Sequence, residues 1–500
     1  MKKLIYMGLA TLLVSNYSCR KLEETPYSSI FTEQFYKTPA DAEAAINSVY
    51  DKLSNLYFGP SATLVPDMAS DQVYPRPVVG RNTLTLFSYD PQYSVQVTAG
   101  RIAESPLGIW TESYAGIEKA NVVIAKVQSI TMPDARKNEL LGEAHFLRAF
   151  FLWMLTKNFG DIPVKTIQST TIEEAYAGKS PKAEVYKQIY EDLNKAVEML
   201  PGYTVAGTVK GRPSKEAALA LYAKAALYNE DWITSLDKAK QVINSGKYAL
   251  MANVFDVYDV SKEDAARQEN IWAFESESFT PANTTNLGSL YGPANSTGPA
   301  YGKSTFGSMF AYQAFYNSFD AADKRKTDLL AISYVNKTGV TVLQAKITPI
   351  TPNGVLVRKF MDPNSVAFRS ASNIPILRLA DVYLIAAEAE FRINGNSPAG
   401  LGYINTVRRR AFGLSLTTPS TKDLAVLTLD AVLQERSWEL FGEGDRFYDL
   451  TRTGKYLTVL AAAVNDVYPS RPVQVKHKYF PIPQLEINAN PKLEQSPDWK

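Results

Sequence analysis

Two stretches of this chain follow one scheme, and that scheme prescribes paired helices. Residues 215–248 place Leu219, Tyr222, Ala223 and Ala226 at helical spacing, turn at Asp231-Trp232, and resume with Leu236, Ala239, Val242 and Ile243 before Gly246. Residues 379–412 repeat the order with Val382, Tyr383, Ala386, Ala387 and Ala389, a turn at Gly395-Asn396, then Leu401, Ile404 and Val407. Apolar residues stepping by three and four mark amphipathic helices. Alanines within the first helix let a second approach closely, the pattern of tetratricopeptide-like units. The two stretches are far apart in the chain, so they read as pairs of one right-handed superhelix with a large insertion at 268–372.

Other helices surround these pairs. Pro39-Ala40-Asp41 opens one, Pro being suited to the first turn, with Ala42, Ala45, Ile46, Val49 and Leu53 on its apolar face. A second runs from Pro106 through Trp110, Tyr114, Ile117, Val122 and Ile124. A third spans 133–158 and ends at Gly160-Asp161-Ile162-Pro163, and a fourth follows Ser180-Pro181 with Val185, Ile189, Leu193 and Val197. Residues 55–101 and 279–307 lack a helical period and read as irregular loops, and long loops of this kind are functional or disordered. Short strands are expected at 343–349 and 354–360. The fold class is therefore mainly α: a superhelix of helix pairs with long irregular loops and a few short strands.

The ends and the composition bound the compartment. Lys2 and Lys3 precede an apolar run from Leu4 to Val14, too short to span a bilayer and suited to a secretory signal. The chain's single cysteine, Cys19, follows Ser18 where such a signal is cleaved. It reads as the lipidation site of a bacterial lipoprotein, with 1–18 as signal peptide and 19–31 as lipidated tether; length alone would allow two or three domains in the rest. An ordinary signal peptide with an incidental cysteine is the alternative. Asn16 and Tyr17 depart from the common lipobox, and the run Arg20-Lys21-Leu22-Glu23-Glu24 resembles signals that send lipoproteins to the outer cell surface. With Lys2 and Lys3 set aside, 51 basic residues balance 51 acidic ones. A neutral chain has no electrostatic case for nucleic acid. One cysteine excludes an intrachain disulfide framework.

Motif searches give little catalytic chemistry. His145 and His477 are the only histidines, so a histidine-rich metal site is excluded and no cofactor or metal is expected. Residues 298–304 fall one position short of a phosphate loop, and no Gly-x-Ser-x-Gly elbow occurs. The densest charge cluster is Glu435-Arg436, Glu439, Glu443, Arg446, Asp449 and Arg452. Paired carboxylates could serve glycoside hydrolysis, but spacing of four along a helix also suits ion pairing. The structural role is expected here.

Four long motifs then carry a resemblance. GEAHFLRAFFLWMLTKNFGDIPV (142–164), IPILRLADVYLIAAEA with YINTVRRRA (374–389 and 403–411), LQERSWELFGEGDRFYDLTRTG (433–454) and YFPIPQLEINANPKLEQSP (479–497) occur in order. Together they resemble the SusD/RagB family of surface nutrient-binding lipoproteins, with Ser496 and Asp498 departing from the frequent Asn and Gly. The resemblance implies that 32–500 form one mostly helical nutrient-binding domain, with the loop insertion at 268–372, in a non-catalytic protein of the cell outer membrane. Such a protein captures oligomers, usually glycans, and hands them to a SusC-like TonB-dependent transporter. An oligopeptide cargo and a surface glycoside hydrolase are the alternatives.

The expected ligand surface is the aromatic and amide content of the irregular stretches. Sugars stack their C–H faces on flat rings while amides and charged groups satisfy the hydroxyls. The residues singled out are Phe279, Asn283, Asn286, Tyr291, Asn295 and Tyr301 in one loop, and Asp67, Asp71, Tyr74 and Arg76 in the other. Each aromatic could instead anchor its loop to the body. Trp110, Trp153, Trp232 and Trp438 lie in helical patterns and read as core, and Trp272 sits on an expected strand.

Overall fold

The computed structural model describes residues 35–58, 61–78, 80–92, 105–279, 283–294, 301–346 and 353–500. The signal segment 1–18, Cys19, the whole 19–31 tether and Asn295 lie outside the described residues.

The helices form an ordered stack. Helix α1 (Pro39–Phe58) starts where Thr38 Oγ1 accepts the Asp41 amide at 3.2 Å and the Asp41 carboxylate accepts those of Lys37 and Thr38. That carboxylate also suits the positive end of the helix dipole. After the short α2 (Ser61–Met68) come α3 (Pro106–Val127), α4 (Asp134–Phe159) and α5 (Lys182–Met199). Helix α1 packs on α3, α3 on α4 and α4 on α5. From Phe146 to Thr156 every side chain of α4 is buried, because α4 is enclosed by its neighbours. The α3–α4 approach is close: a Cβ at Gly116 would sit 2.3 Å from the Phe151 ring. Gly160 ends α4 at φ +76°, a conformation glycine adopts without steric cost.

The two helix pairs read from sequence are α6 (Lys215–Tyr228) with α7 (Trp232–Asn244) and α8 (Leu379–Asn394) with α9 (Pro398–Ala411). Ser214, Asp231 and Ser397 cap three of these helices, each accepting a backbone amide with its side chain. Helix α7 packs directly on α8, so the stack continues across the insertion. Strands β2 (Asn270–Phe274) and β8 (Ile374–Arg378) pair antiparallel, with Asn270 opposite Arg378 and Phe274 opposite Ile374. The insertion therefore leaves and re-enters the helical body through one ribbon. Helices α10 (Leu429–Leu440), α11 (Arg446–Arg452) and α12 (Tyr456–Ala462) follow.

The sequence expectation needs correction at 55–101. Helix α1 runs to Phe58, and α2 is buried at every residue, Pro66 included. Burial on all sides removes the amphipathic period by which a helix is recognised. Beyond it, β1 (Val73–Pro75) pairs with β3 (Met309–Ala311), setting Tyr74 opposite Phe310 and tying this stretch to the insertion. Within the insertion, residues Leu287–Tyr291 form a short helix inside the expected loop. The strands are β4 (Leu330–Ala331), β5 (Ser333–Val335), β6 (Thr341–Leu343) and β7 (Leu356–Val357), paired β4–β7 and β5–β6. Of the strand expected at 343–349, Leu343 ends β6, Gln344–Lys346 form a 3₁₀ turn, and 347–349 lie outside the described residues.

Candidate functional site

The charge cluster of α10 and α11 is part of the buried core. Glu439 lies under the guanidiniums of Arg378, Arg410 and Arg325, at 2.6, 2.5 and 3.2 Å. Glu435 accepts from Arg325 at 2.7 Å and from Arg408 at 2.9 Å, and Lys359 reaches Glu443 at 2.7 Å. Burial alone would push the Glu439 carboxyl up, but the three guanidiniums outweigh it and hold it well below the usual carboxylate range. A second set links Arg436 to Asp381 and Asp449, and Arg452 to Glu388 and Asp449. A carboxylate held ionised under arginines is a poor general acid. This arrangement cross-links α8, α9, α10 and the insertion.

The sequence-predicted ligand residues divide sharply. Asp67 is buried, accepting from the Tyr291 hydroxyl at 3.1 Å and the Gly444 amide at 3.2 Å. Burial drives its carboxyl up to about 7, against those two hydrogen bonds. Asp71 is occupied by a two-point pair with Arg446, 2.8 Å on each side. Tyr74 is buried against Tyr312, ring centroids 4.7 Å apart, and Tyr291 against Phe360. Tyr301 is buried with its ring edge-on to Tyr334. These three rings anchor their loops and offer no face to a ligand, which corrects the expectation placed on them. Arg76 and Asn286 are half-buried, and Phe279 and Asn283 are exposed. The Glu277 amide, two residues before the exposed Phe279, bonds the Asn283 carbonyl. Trp110, Trp153 and Trp272 are core, Trp272 donating to the Gly211 carbonyl at 2.9 Å.

Exposure identifies what the sequence missed. Among the described residues the most exposed aromatic side chains are Phe279 (81%), Phe306 (38%) and Phe368 (37%), and all three belong to the insertion. Phe306 and Phe368 form a pair, ring centroids 6.4 Å apart and inclined by 37°. The Arg369 guanidinium lies 5.8 Å over the Phe368 ring. Phe368 stands on a tight turn closed by two backbone hydrogen bonds between Val366 and Arg369, at 2.9 and 3.0 Å. Its neighbour Ala367 has φ +52°, a strained conformation for a residue with a Cβ. Ser289 fixes the turn by donating to the carbonyls of Ser304 and Phe368, and the Phe306 amide bonds the Ser289 carbonyl at 2.7 Å. Two phenyl rings are thus held at the surface by a hydrogen-bonded frame. The composition of 279–307 pointed to this loop, but nothing in it separates Phe306 from the buried Tyr301.

A groove of about 710 Å³ lies elsewhere, between α3, the 163–176 segment and the C-terminal segment. Its walls include Trp110, Tyr114, Tyr176 and Leu493, with Glu118 and Glu486 among the polar groups. The Tyr114 hydroxyl donates to the Pro163 carbonyl, and burial pushes the Glu486 carboxyl up. None of the sequence-predicted ligand residues lines it.

Two family models match the chain. The one described as the SusD family spans 333–499, and the one described as starch-binding associating with outer membrane spans 22–227. The chain belongs to the SusD family. Phe279 and Phe306 fall between the two matched stretches of this SusD-family chain, and Phe368 falls within the first-named one. SusD-like protein P25 of Formosa agariphila is 26% identical over 97% of this chain and 96% of that protein. The starch-binding protein SusD of Bacteroides thetaiotaomicron is 25% identical over 75% of each. Among solved structures, surface glycan-binding protein A from Bacteroides uniformis matches with a TM-score of 0.76 at 23% identity, covering 93% of this chain and 100% of that one. A laminarin-binding SusD-like protein matches with a TM-score of 0.76 at 22% identity, covering 92% and 100%. These likenesses establish the SusD-family fold.

Proposed function

We propose that this protein is a non-catalytic receptor that captures glycan oligomers on the aromatic face of its insertion. The observation that carries this reading is the concentration of exposed rings there, Phe306 and Phe368 paired above all. A sugar ring presents an apolar C–H face that buries well on such a platform. Exposed pairs of large apolar rings otherwise cost solubility and mark interaction sites. The ion-paired carboxylates of α10 support binding rather than hydrolysis. Among family members and structural neighbours, one is a starch-binding protein, one is laminarin-binding and one was solved with laminarihexaose.

In the same reading, residues 1–18 are a signal peptide, Cys19 carries the lipid, 19–31 form the tether and 32–500 the binding domain. The lipid holds the receptor at the outer membrane beside a SusC-like TonB-dependent transporter, which removes the captured oligomer. One acyl chain binds a membrane marginally and a second makes the anchorage stable. The deciding experiment is affinity electrophoresis of the purified 32–500 fragment through a panel of polysaccharides, with Phe368→Ala alongside. Retardation by at least one glycan, reduced in the variant, supports the reading. No retardation by any glycan, with binding of oligopeptides instead, replaces it. Separately, Cys19→Ala should leave glycan binding in solution intact and abolish retention at the cell surface.

A further inference from the structure

The Phe306–Phe368 part of the aromatic face is flanked by cations that pair with no carboxylate among the described residues. Lys303 is the only charged residue between Glu277 and Asp320. It is exposed, and its backbone amide bonds Ser365 Oγ at 2.9 Å, beside the Phe368 turn. Arg369 stands on the other side of that turn, its guanidinium over the Phe368 ring. Arg76 lies on the adjoining edge, its amide bonded to the Ser308 carbonyl at 2.8 Å, two residues from Phe306. Among the described residues none of these three cations makes an ion pair, although most arginines of this protein are paired.

Three acids nearby are already engaged. Asp362 is buried beneath the turn, where its carboxylate accepts the amides of Asn364 and Ala371 at 2.9 and 2.8 Å. Glu263 and Glu275 are held by Asn373 at 2.8 and 2.7 Å. Glu277 is exposed, on the loop that carries Phe279. Two stacking rings flanked by unneutralised cations present a surface that attracts anions as well as sugar faces.

Building on the glycan-binding reading above, we infer that this face selects acidic glycans, hexose chains bearing carboxylate or sulfate groups. Phe306 and Phe368 supply stacking that any pyranose can use. Lys303, Arg369 and Arg76 supply the discrimination, because a neutral chain leaves them with water while an acidic chain neutralises them. Guanidinium suits this task, matching carboxylate or sulfate oxygens at two points. Partly exposed charges are screened by salt, so the preference for acidic chains fades as ionic strength rises, whereas stacking does not.

The test uses matched pairs of polymers: polygalacturonate against its carboxyl-reduced form, λ-carrageenan against its desulfated form, and laminarin as a neutral reference. Affinities of the wild-type 32–500 fragment are measured at 50 and 500 mM NaCl. Wild type should prefer the acidic member of at least one pair by about fivefold or more at low salt, and the two pairs separate carboxylate from sulfate. Lys303→Gln with Arg369→Gln should abolish that preference, each charge contributing up to about fivefold, while binding of any neutral polymer is kept and the melting temperature is unchanged. Phe368→Ala should weaken acidic and neutral binding together. Equal affinity within both pairs, binding of neutral polymers alone, or a preference that survives the double variant overturns the inference and leaves the glycan-binding reading standing. Absence of binding to all five polymers overturns the inference too. Acidic binding that persists unchanged in Phe368→Ala counts against the aromatic platform itself.

Discussion

Arg378 Nη1 donates to the Glu439 carboxylate at 2.6 Å and also reaches Glu269, while Nε donates to Glu443 and Nη2 to the Glu439 carbonyl. The strand that returns the insertion to the helical body is thereby ion-paired to α10. Every nitrogen of the guanidinium has an acceptor, the condition under which a buried charge is tolerable.

Removing the carboxylate breaks that condition. Glu439→Ala leaves Arg378 and Arg410 buried with one acceptor fewer, and breaking a buried pair from one side costs about 3–5 kcal/mol. Chemical denaturation should show that loss, with Glu435→Ala similarly destabilised through Arg325. Because the folded Glu439 carboxyl is held below its unfolded value, its contribution is complete above about pH 4.5 and disappears as pH falls through the folded value. A Glu435→Ala/Glu439→Ala double variant as stable as wild type would remove the structural assignment and reopen a catalytic one.

Asp67 should act in the opposite sense. Its folded carboxyl titrates near 7, raised by burial, against about 3.9 when unfolded. The folded state therefore binds the extra proton between those values. Stability from this group is complete below about pH 4 and is lost as pH rises toward 7, at most about 1.4 kcal/mol per pH unit. Asp67→Asn replaces the acid by a neutral amide that can still accept from Gly444 and donate toward the Tyr291 hydroxyl. Its unfolding free energy should be less dependent on pH between 4 and 8, and equal to or above wild type at pH 8.

The contrast between these carboxylates shows where sequence reading runs out. Glu435 and Glu439 lie four apart and plainly share a helix face, but their partners Arg325, Arg378 and Arg410 come from three distant segments. The helices α1, α3, α4 and α5 were legible because each has a wet face, a Pro near its start or a Gly at its end. Helix α2 was not, since burial all round erased its period. In the loops no period exists at all, so Tyr301 and Phe306 look alike in sequence although one points inward and the other outward.

Gly116 tests the stack of helices itself. An alanine there would bring its Cβ within 2.3 Å of Phe151, a ring that is fully buried and has no free space to retreat into. Overpacking of this kind costs about 1–3 kcal/mol. Gly116→Ala should lower the denaturant midpoint accordingly with the glycan affinity unchanged, and Gly116→Val should lower it further. An unaltered midpoint would mean that α3 and α4 can separate, against the close crossing seen here.

Tyr301 and Phe306 supply the last comparison, because they are five positions apart in one loop and differ in burial. Tyr301→Ala empties space beneath the loop, and truncating a buried aromatic costs about 3–5 kcal/mol. Phe306→Ala removes a ring that is more than a third exposed, so stability should stay within about 0.5 kcal/mol of wild type. Its effect should fall on binding instead. A lost stacking contact of about 0.5–1.5 kcal/mol corresponds to an affinity two- to twelvefold weaker, measured by calorimetry with the tightest glycan of the panel. Phe306→Trp, which keeps a flat and larger face, should restore or exceed wild-type affinity. If Phe306→Ala instead unfolds the protein while Tyr301→Ala spares it and loses glycan, the inward and outward assignments of these two rings are reversed, and the platform must be sought on the Tyr301 side of the loop.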